Sequence, residues 1–221
     1  MRGPLAVISP HLDDAVLGCG ALLAAMPGAI VITVFAGRPR ADAPLRAWDA
    51  AAGFSAGDDV IGIRRAEDAA ALRCLGAEPL WLPFLDAQYE QTPSVDEVAE
   101  ALDGVLCARG PATVCIPLGL FHSDHALAHA AALEVRARHR SWGWLAYEEP
   151  MYRRVPGALA DRLEALRKAD ISAIPLPPRV ATVEKRDAIA CYASQLRALA
   201  TPGRPGHADA LAEERQWKLL P

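Results

Sequence analysis

Five short apolar runs, each followed by a stretch of helical or loop character, set the strongest limit on how this 221-residue chain folds. The clearest is Ala29–Ala36, A-I-V-I-T-V-F-A, continuous, rich in β-branched residues and closed by Gly37. Leu5–Ser9, Leu80–Leu85, Ala112–Leu118 and Trp142–Glu148 are the others. Unbroken apolar runs of this length read as strands buried on both faces. Between them, Val16–Met26, Ile63–Leu75, Ser94–Ala108 and Asp124–Arg138 carry helical patterns. Ser94 with Glu97 three residues on predicts a capping box. Residues 38–58, rich in Gly, Pro and Asp, predict a long loop with one helical turn. Alternation of this kind implies an α/β fold: a Rossmann-like, doubly wound, mostly parallel sheet in the order 3-2-1-4-5. Prolines cluster at 175, 177 and 178 and again at 202 and 205, and one good helix follows, Val183–Leu199. Residues 1–150 therefore read as the core, and 151–221 as a small C-terminal cap packed on it, one domain overall.

Bulk composition removes several function classes. The net charge is −4 and no basic run occurs, which argues against a nucleic-acid backbone as partner. No apolar run reaches the roughly 18 residues needed to span a membrane. The start, M-R-G-P-L-A-V-I-S-P-H-L-D-D, is short in apolar length for a signal peptide and acquires acids at once. Five scattered cysteines form no C-x-x-C pair, and their odd number argues against a disulfide framework. Buried, reduced thiols in a cytoplasmic protein are the expectation. A homo-oligomer is compatible with the sequence, which does not fix one.

Two polar clusters interrupt this apolar scaffold at strand ends. His11, Asp13 and Asp14 follow the first strand, and F-H-S-D-H at 121–125 follows the fourth. In the expected strand order these strands are neighbours at the switch point, where ligands of such sheets bind. Two histidines and several carboxylates meeting in one crevice suit a divalent metal, zinc foremost, with three protein ligands and an open position. A remaining carboxylate can then serve as general base. Taken singly, each cluster also reads as a helix cap with hydrogen-bonded histidines. The pair at adjacent strand ends favours the metal. Gly18-Cys19-Gly20 begins like a dinucleotide motif, but position 23 is leucine and the acids precede it. Close packing of helix on sheet accounts for those glycines more simply.

The stretch P-H-L-D-D-A-V-L-G-C-G resembles the [AP]-H-x-D-D signature of the PIG-L/LmbE-like zinc-dependent N-deacetylases, and F-H-S-D-H resembles their H-x-D-H motif. R-R-A-E-D-A-A-A-L-R-C-L-G at 64–76 is similar to the family's R-x-x-E helix, and K-R-D-A-I-A-C-Y-A-S-Q at 185–195 to its late K-x-x-A-x-x-x-Y-x-S-Q segment. The resemblance runs from residue 5 to about 197, with four motifs in order. It implies His11, Asp14 and His125 as zinc ligands, and Asp13 as the base acting on water. His122 would stabilise the oxyanion or protonate the leaving amine, and Asp124 would orient a histidine from behind. The implied reaction is hydrolysis of an N-acyl group, usually acetyl, from a small-molecule amino sugar or its conjugate. A same-fold amidase acting on another amide, such as a thiol conjugate, and a non-catalytic metal- or sugar-binding protein are the alternatives; the presence of Asp13 weighs against the last. Other divalent metals fit the same ligands.

The chain departs from the pattern in places. Leu12 and Ser123 stand where prolines are common, and neither supplies a ligand. L-P-F-L-D-A replaces an L-P-D-G segment, so Asp86 is a shifted candidate for substrate binding. Trp48, Asp49, Gly53 and Phe54 form a W-D-x-x-x-G-F pattern that reads either as a substrate lid, with aromatic faces for a sugar, or as a plug over the sheet edge. Arg64 or Arg65 is expected to face the site, with Arg64 the candidate. Glu148 or Glu149 can line the crevice after the fifth strand. Tyr147 and Tyr152 can donate to substrate or simply pack. His129 lies one turn after His125, and His139 and His207 read as surface residues.

Overall fold

All five expected strands form in the computed structural model, which describes residues 4–40, 42–204 and 206–221. The first three residues, Ala41 in the long loop and Pro205 in the late proline cluster lie outside them. Strands β1 (Leu5–Ser9), β2 (Ile30–Thr33), β3 (Glu78–Trp81), β4 (Thr113–Pro117) and β5 (Gly143–Tyr147) pair in parallel in the order 3-2-1-4-5. Strand β3 begins two residues before the expected run. Its register with β2 runs from Ile30 opposite Glu78 to Thr33 opposite Trp81.

Helices on both faces cover this sheet. They are α1 (Asp14–Ala24), α2 (Ala47–Ala51), α3 (Val60–Cys74), α4 (Val95–Arg109), α5 (Ser123–Arg138), α6 (Ala158–Lys168), α7 (Val183–Ala190) and α8 (Ala193–Leu199). The capping box at the start of α4 is present: Ser94 Oγ accepts from Glu97 N at 3.2 Å, and Glu97 Oε2 accepts from Ser94 N at 2.8 Å. Apolar side chains divide into two layers. Ala6, Ile8, Ile30, Ile32, Val114 and Ile116 pack beneath α4 and α5, whereas Leu5, Val7, Val31 and Cys115 face α1, α3 and α7. This two-faced burial is the reason the strand sequences are apolar at every position.

The glycines of α1 serve packing. A Cβ on Gly18 would lie 2.6 Å from the Tyr147 ring, and one on Gly20 would lie 2.6 Å from Cγ of Lys185. The helix thus approaches β5 and α7 more closely than any other residue allows.

Beyond residue 150 the chain differs from the expected cap. Helix α6 and two strands, β6 (Ser172–Pro175) and β7 (Gln216–Leu220), extend the sheet to seven strands in the order 3-2-1-4-5-7-6. β7 pairs antiparallel with both β5 and β6. The helix expected over Val183–Leu199 is broken at Cys191-Tyr192, where Tyr192 leaves the helical conformation at φ −86°, ψ 54°. The break has a cause. Tyr192 is fully buried and donates to Asp68 Oδ1 at 2.8 Å, while Ser194 N and Oγ donate to Glu67 Oε1 and Oε2 at 2.8 and 2.6 Å. Glu67 therefore satisfies an amide at the start of α8 that an uninterrupted helix would have bonded internally.

Candidate metal centre and its cavity

The turn after β1 carries the first cluster. Ser9 Oγ donates to His11 O at 2.6 Å and accepts from Ala15 N at 2.9 Å, so a serine ties the start of α1 to the turn. Asp13 occupies the N-cap position but its side chain makes no capping bond. Asp14 Oδ2 accepts from His11 N at 2.8 Å. Neither aspartate caps the helix, so their charges are free for another task.

The second cluster is aimed by strained backbone. Gly119 has φ +75°, and a Cβ there would lie 2.7 Å from His129 Cβ. Phe121, 72% exposed, holds φ +62°, the left-handed region that non-glycine residues seldom occupy. The chain then enters α5 with His122 at its N-cap. His122 Nδ1 accepts from Asp124 N at 3.2 Å, which places its proton on Nε2.

Both clusters meet as the strand order requires. One nitrogen or oxygen each from His11, Asp14 and His125 lies within 4.8 Å of the other two. Asp14 Oδ2 is 3.1 Å from His11 Nδ1 and 3.2 Å from His125 Nε2. The opposite nitrogen of each imidazole is held by a carboxylate. Asp124 Oδ2 meets His11 Nε2 at 3.0 Å, and Glu149 Oε1 meets His125 Nδ1 at 3.2 Å. Carboxylates behind metal-binding histidines fix the tautomer and raise ligand basicity. The donor set therefore fits a divalent cation of the zinc type, with two imidazoles and one carboxylate. His11, His122 and Asp124 form a second such group around the far side of His11.

Charge in the cluster is strongly coupled. Burial, the largest influence on His125, would depress its pKa, but the Asp14 and Glu149 carboxylates outweigh it and lift the value to about 9. His11 is raised in the same way by Asp124 and Asp14 against burial. Asp13 is raised to about 7, first by burial and then by the Asp14 charge beside it. His122 is lowered to about 4, by burial and by the neighbouring His11 and His125, so it is neutral.

A cavity of about 590 Å³ opens over this cluster beyond the carboxyl ends of the strands. Asp13, Trp48, Arg64 and Asp86, all singled out from the sequence, line it. Of the two arginines, Arg64 is the one at the cavity, and its Nη1 lies 2.9 Å from Asp49 Oδ1. Arg65 turns away and donates to Ala36 O at 2.6 Å. Asp86 accepts from Gln88 N at 2.9 Å, and burial raises its pKa. Trp48 Nε1 donates to Gln195 Oε1 at 3.1 Å, Arg204 covers its ring at 5.0 Å, and Arg64 lies 5.4 Å from the centre of the Phe54 ring. Trp48 is thus wall and packing residue together.

Glu149 is the residue the sequence placed least well. It was one of two adjacent glutamates after β5, and only the fold separates them. Glu148 Oε1 accepts from Trp217 Nε1 at 3.0 Å, on the side of β7, while Glu149 Oε1 accepts from Gly119 N, Leu120 N and His125. Tyr152 also stands at the site, 5.1 Å from His125 edge to face. Tyr147, fully buried, donates to Ile8 O at 3.1 Å and packs. His129 donates to Pro117 O at 2.8 Å, a structural contact. His139 stacks on Trp142 at 4.1 Å, at the far end of α5. Glu149→Gln, which removes the charge behind His125, is expected to weaken divalent-metal affinity by about 10- to 100-fold. Competition with a chelating dye measures it, and unchanged affinity would show that Glu149 only braces the loop at 119–120.

Fold and site together define a doubly wound α/β protein with a carboxylate-backed histidine and aspartate centre at its switch point. The model of the family described as PIG-L, GlcNAc-PI de-N-acetylase, matches residues 6–136. The chain belongs to this family. A search of curated proteins found no match. Among solved structures, the A40926 pseudoaglycone deacetylase Dbv21 is 26% identical, with 100% of this chain and 98% of that one covered and a TM-score of 0.78. A deacetylase of the teicoplanin biosynthesis pathway is 25% identical over 98% of both chains, with a TM-score of 0.75. The 4-carboxy-2-hydroxymuconate hydratase GalB from Pseudomonas putida KT2440 shares the fold at 18% identity, over 100% of this chain and 96% of that one, with a TM-score of 0.55. The same scaffold thus carries more than one chemistry, and the reaction must be argued from the site.

Proposed function

We propose that the protein is a divalent-metal hydrolase, with zinc the first candidate, that removes an N-acyl group, usually acetyl, from an amino sugar or its conjugate. The observation that carries this reading is the arrangement of side chains around Asp14. His11, Asp14 and His125 converge as a ligand set, and Asp13, next in sequence, lies beside that set without joining it. Membership of the PIG-L family and the likeness to two antibiotic-pathway deacetylases support it. A cation held by His11, Asp14 and His125 would supply Lewis acidity for the hydrolysis.

The protein's own groups do the rest. Asp13 accepts a proton from water as its oxygen attacks the acyl carbon, a task suited to a carboxylate whose pKa is raised toward neutrality. His122, neutral and carrying its proton on Nε2, donates a hydrogen bond to the developing oxyanion. This favours oxyanion stabilisation over acid catalysis for His122. When the C–N bond breaks, Asp13 returns the proton to the leaving nitrogen, and a carboxylic acid and an amine result. Asp124 and Glu149 hold the two histidines throughout.

The test is acetate release from a panel of N-acetylated amino sugars and conjugates. Activity is expected with metal-replete protein, to vanish on chelation and to return with a divalent cation. Hydration of an unsaturated acid without acetate release, or no dependence on metal, would overturn the reading.

A further inference from the structure

The far end of α5 carries another convergence of ligand-type side chains, outside the cavity. Asp103 and Cys107, one turn apart in α4, meet His139, the C-cap of α5. One ligand atom from each lies within 4.8 Å of the other two. His139 Nε2 is 2.6 Å from Asp103 Oδ1 and 3.6 Å from Cys107 Sγ, and Sγ is 3.4 Å from the same Oδ1. Helix α5 is 16 residues long and starts among the histidines of the cavity, so this group lies about 24 Å from them.

Its geometry excludes a nucleophile relay. In a Cys-His-Asp relay the thiol and the carboxylate engage opposite nitrogens of the imidazole. Here both approach Nε2. The hydrogen bond to Asp103 also pushes the Cys107 thiol up, away from the thiolate a nucleophile needs. Three donor atoms turned to one point are instead the start of a coordination shell. Ligand atoms about 2.0–2.3 Å from a tetrahedral ion stand about 3.3–3.6 Å from one another. The two distances to sulfur already meet that condition. The Asp103–His139 separation would open by about 0.7 Å as an ion replaces the hydrogen bond between them.

The surroundings prepare the group for a cation. The His139 ring stacks on Trp142 at 4.1 Å and 8°, and its carbonyl accepts from Trp144 Nε1 at 3.0 Å, so the imidazole is held in place. Asp103 keeps Oδ1 turned inward because Oδ2 accepts from Arg138 Nη1 at 3.1 Å. Acids outnumber that arginine, since Glu100, Asp103 and Glu134 all act on it. Both helices end here, and their dipoles favour a positive charge. Cys107 is exposed, so solvent reaches the fourth position.

We propose that Asp103, Cys107 and His139 form a second metal site, for a thiophilic divalent ion of the zinc type, which clamps the end of α4 to the end of α5. Sulfur and imidazole favour such an ion over magnesium or calcium. Binding displaces the Cys107 proton to solvent and breaks the Asp103–His139 hydrogen bond. The site is partly exposed and is the weaker of the two, so a mild chelator strips it and leaves the cavity centre loaded. It does not depend on the reaction proposed for the cavity.

Sulfur marks the site in a titration. The cavity group has no thiol, so cobalt bound there gives no sulfur-to-metal charge transfer, whereas cobalt on Cys107 does. Metal-free full-length protein, its thiols kept reduced by a phosphine, is titrated with cobalt. A near-ultraviolet charge-transfer absorption is expected to grow to one equivalent and to vanish when zinc displaces the cobalt. It is expected to be lost in Cys107→Ser, a mild change at an exposed position, and in His139→Gln. Zinc at about 100 times its dissociation constant is expected to raise Tm by about 5–10 °C more in the unaltered protein than in Cys107→Ser. No charge-transfer absorption with cobalt overturns the proposal. So does absorption that persists in either variant, because the ion would then sit on another thiol, or on Cys107 without this shell.

Discussion

Asp13→Ala is expected to keep close to one equivalent of bound metal while kcat falls by about 10²- to 10⁴-fold, the usual worth of a positioned general base. His125→Ala is expected to lose the metal. The contrast follows from geometry. His125 Nε2 and His11 Nδ1 both lie within 3.2 Å of Asp14 Oδ2, so removing an imidazole removes a ligand. Asp13 belongs to none of the candidate ligand groups and makes no helix-capping bond, so its loss leaves the ligands and the start of α1 in place. The pH dependence has a definite sign. A base must be ionised to act, and burial together with Asp14 lifts the Asp13 pKa to about 7. Burial and Asp14 push this carboxyl up while a bound cation would push it down, so activity falls on the acid side as Asp13 takes up its proton, and Asp13→Asn flattens this limb. Metal content by elemental analysis and kcat/KM against pH, measured on the same preparations, check both. Equal metal loss in Asp13→Ala and His125→Ala would reassign Asp13 as a ligand.

Lys185→Met is expected to unfold the protein at a much lower temperature. Lys185 is fully buried and its Nζ donates to Glu214 Oε1 and to Leu17 O, both at 2.8 Å. Glu214 in turn accepts from Ala21 N, Leu22 N and Gln216 Nε2. This ion pair ties α1, α7 and the segment entering β7 at one buried point. Removing the cation leaves a carboxylate in apolar surroundings, at a cost of about 3–5 kcal/mol. At roughly 2–4 °C per kcal/mol for a domain of this size, Tm falls by about 6–20 °C. Lys185→Met/Glu214→Leu is expected to recover a large part of the loss, because the uncompensated charge is gone. Thermal melts of the single and double variants decide it. A double variant no more stable than Lys185→Met would mean that the amide bonds to Glu214 carry the stability.

These two results draw on different depths of legibility. The convergence of the candidate ligands is legible because each half is compact in sequence and sits at a strand end. His11 and Asp14 lie in one turn, His122 to His125 in another, and parallel strand order alone brings the turns together. The R-x-x-E and Y-x-S-Q segments were recognised as motifs, but their physical reason appears only in the fold. Glu67 of the first bonds Ser194 of the second, and Arg64 pairs with Asp49 in the loop. The last third of the chain carries weaker signals. The prolines at 175, 177 and 178 hid β6, which is an edge strand and so tolerates Pro175 at its end. Gln216–Leu220 is too short to stand out, and its partners precede it by many residues. Helix α6 follows Gly157 in the left-handed conformation and ends on Arg167 and Lys168, signals that the proline clusters overshadowed.

The sheet order carries a consequence for synthesis on the ribosome. β6 has one partner in the sheet, β7, and β7 must slot between β5 and β6. The five parallel strands and the two turns that carry His11, Asp14 and His125 are complete by Tyr147, and Glu149, which backs His125, follows two residues later. β6 then emerges with its ladder groups unsatisfied on both edges and waits for residues 216–220 to arrive. Glu214, immediately before β7, arrives in the same interval, and until it does the Lys185 ammonium has no counter-ion. Late translation thus closes the sheet and neutralises the interior in a single docking event, and a stalled or shortened chain would expose an edge strand and a buried cation site together.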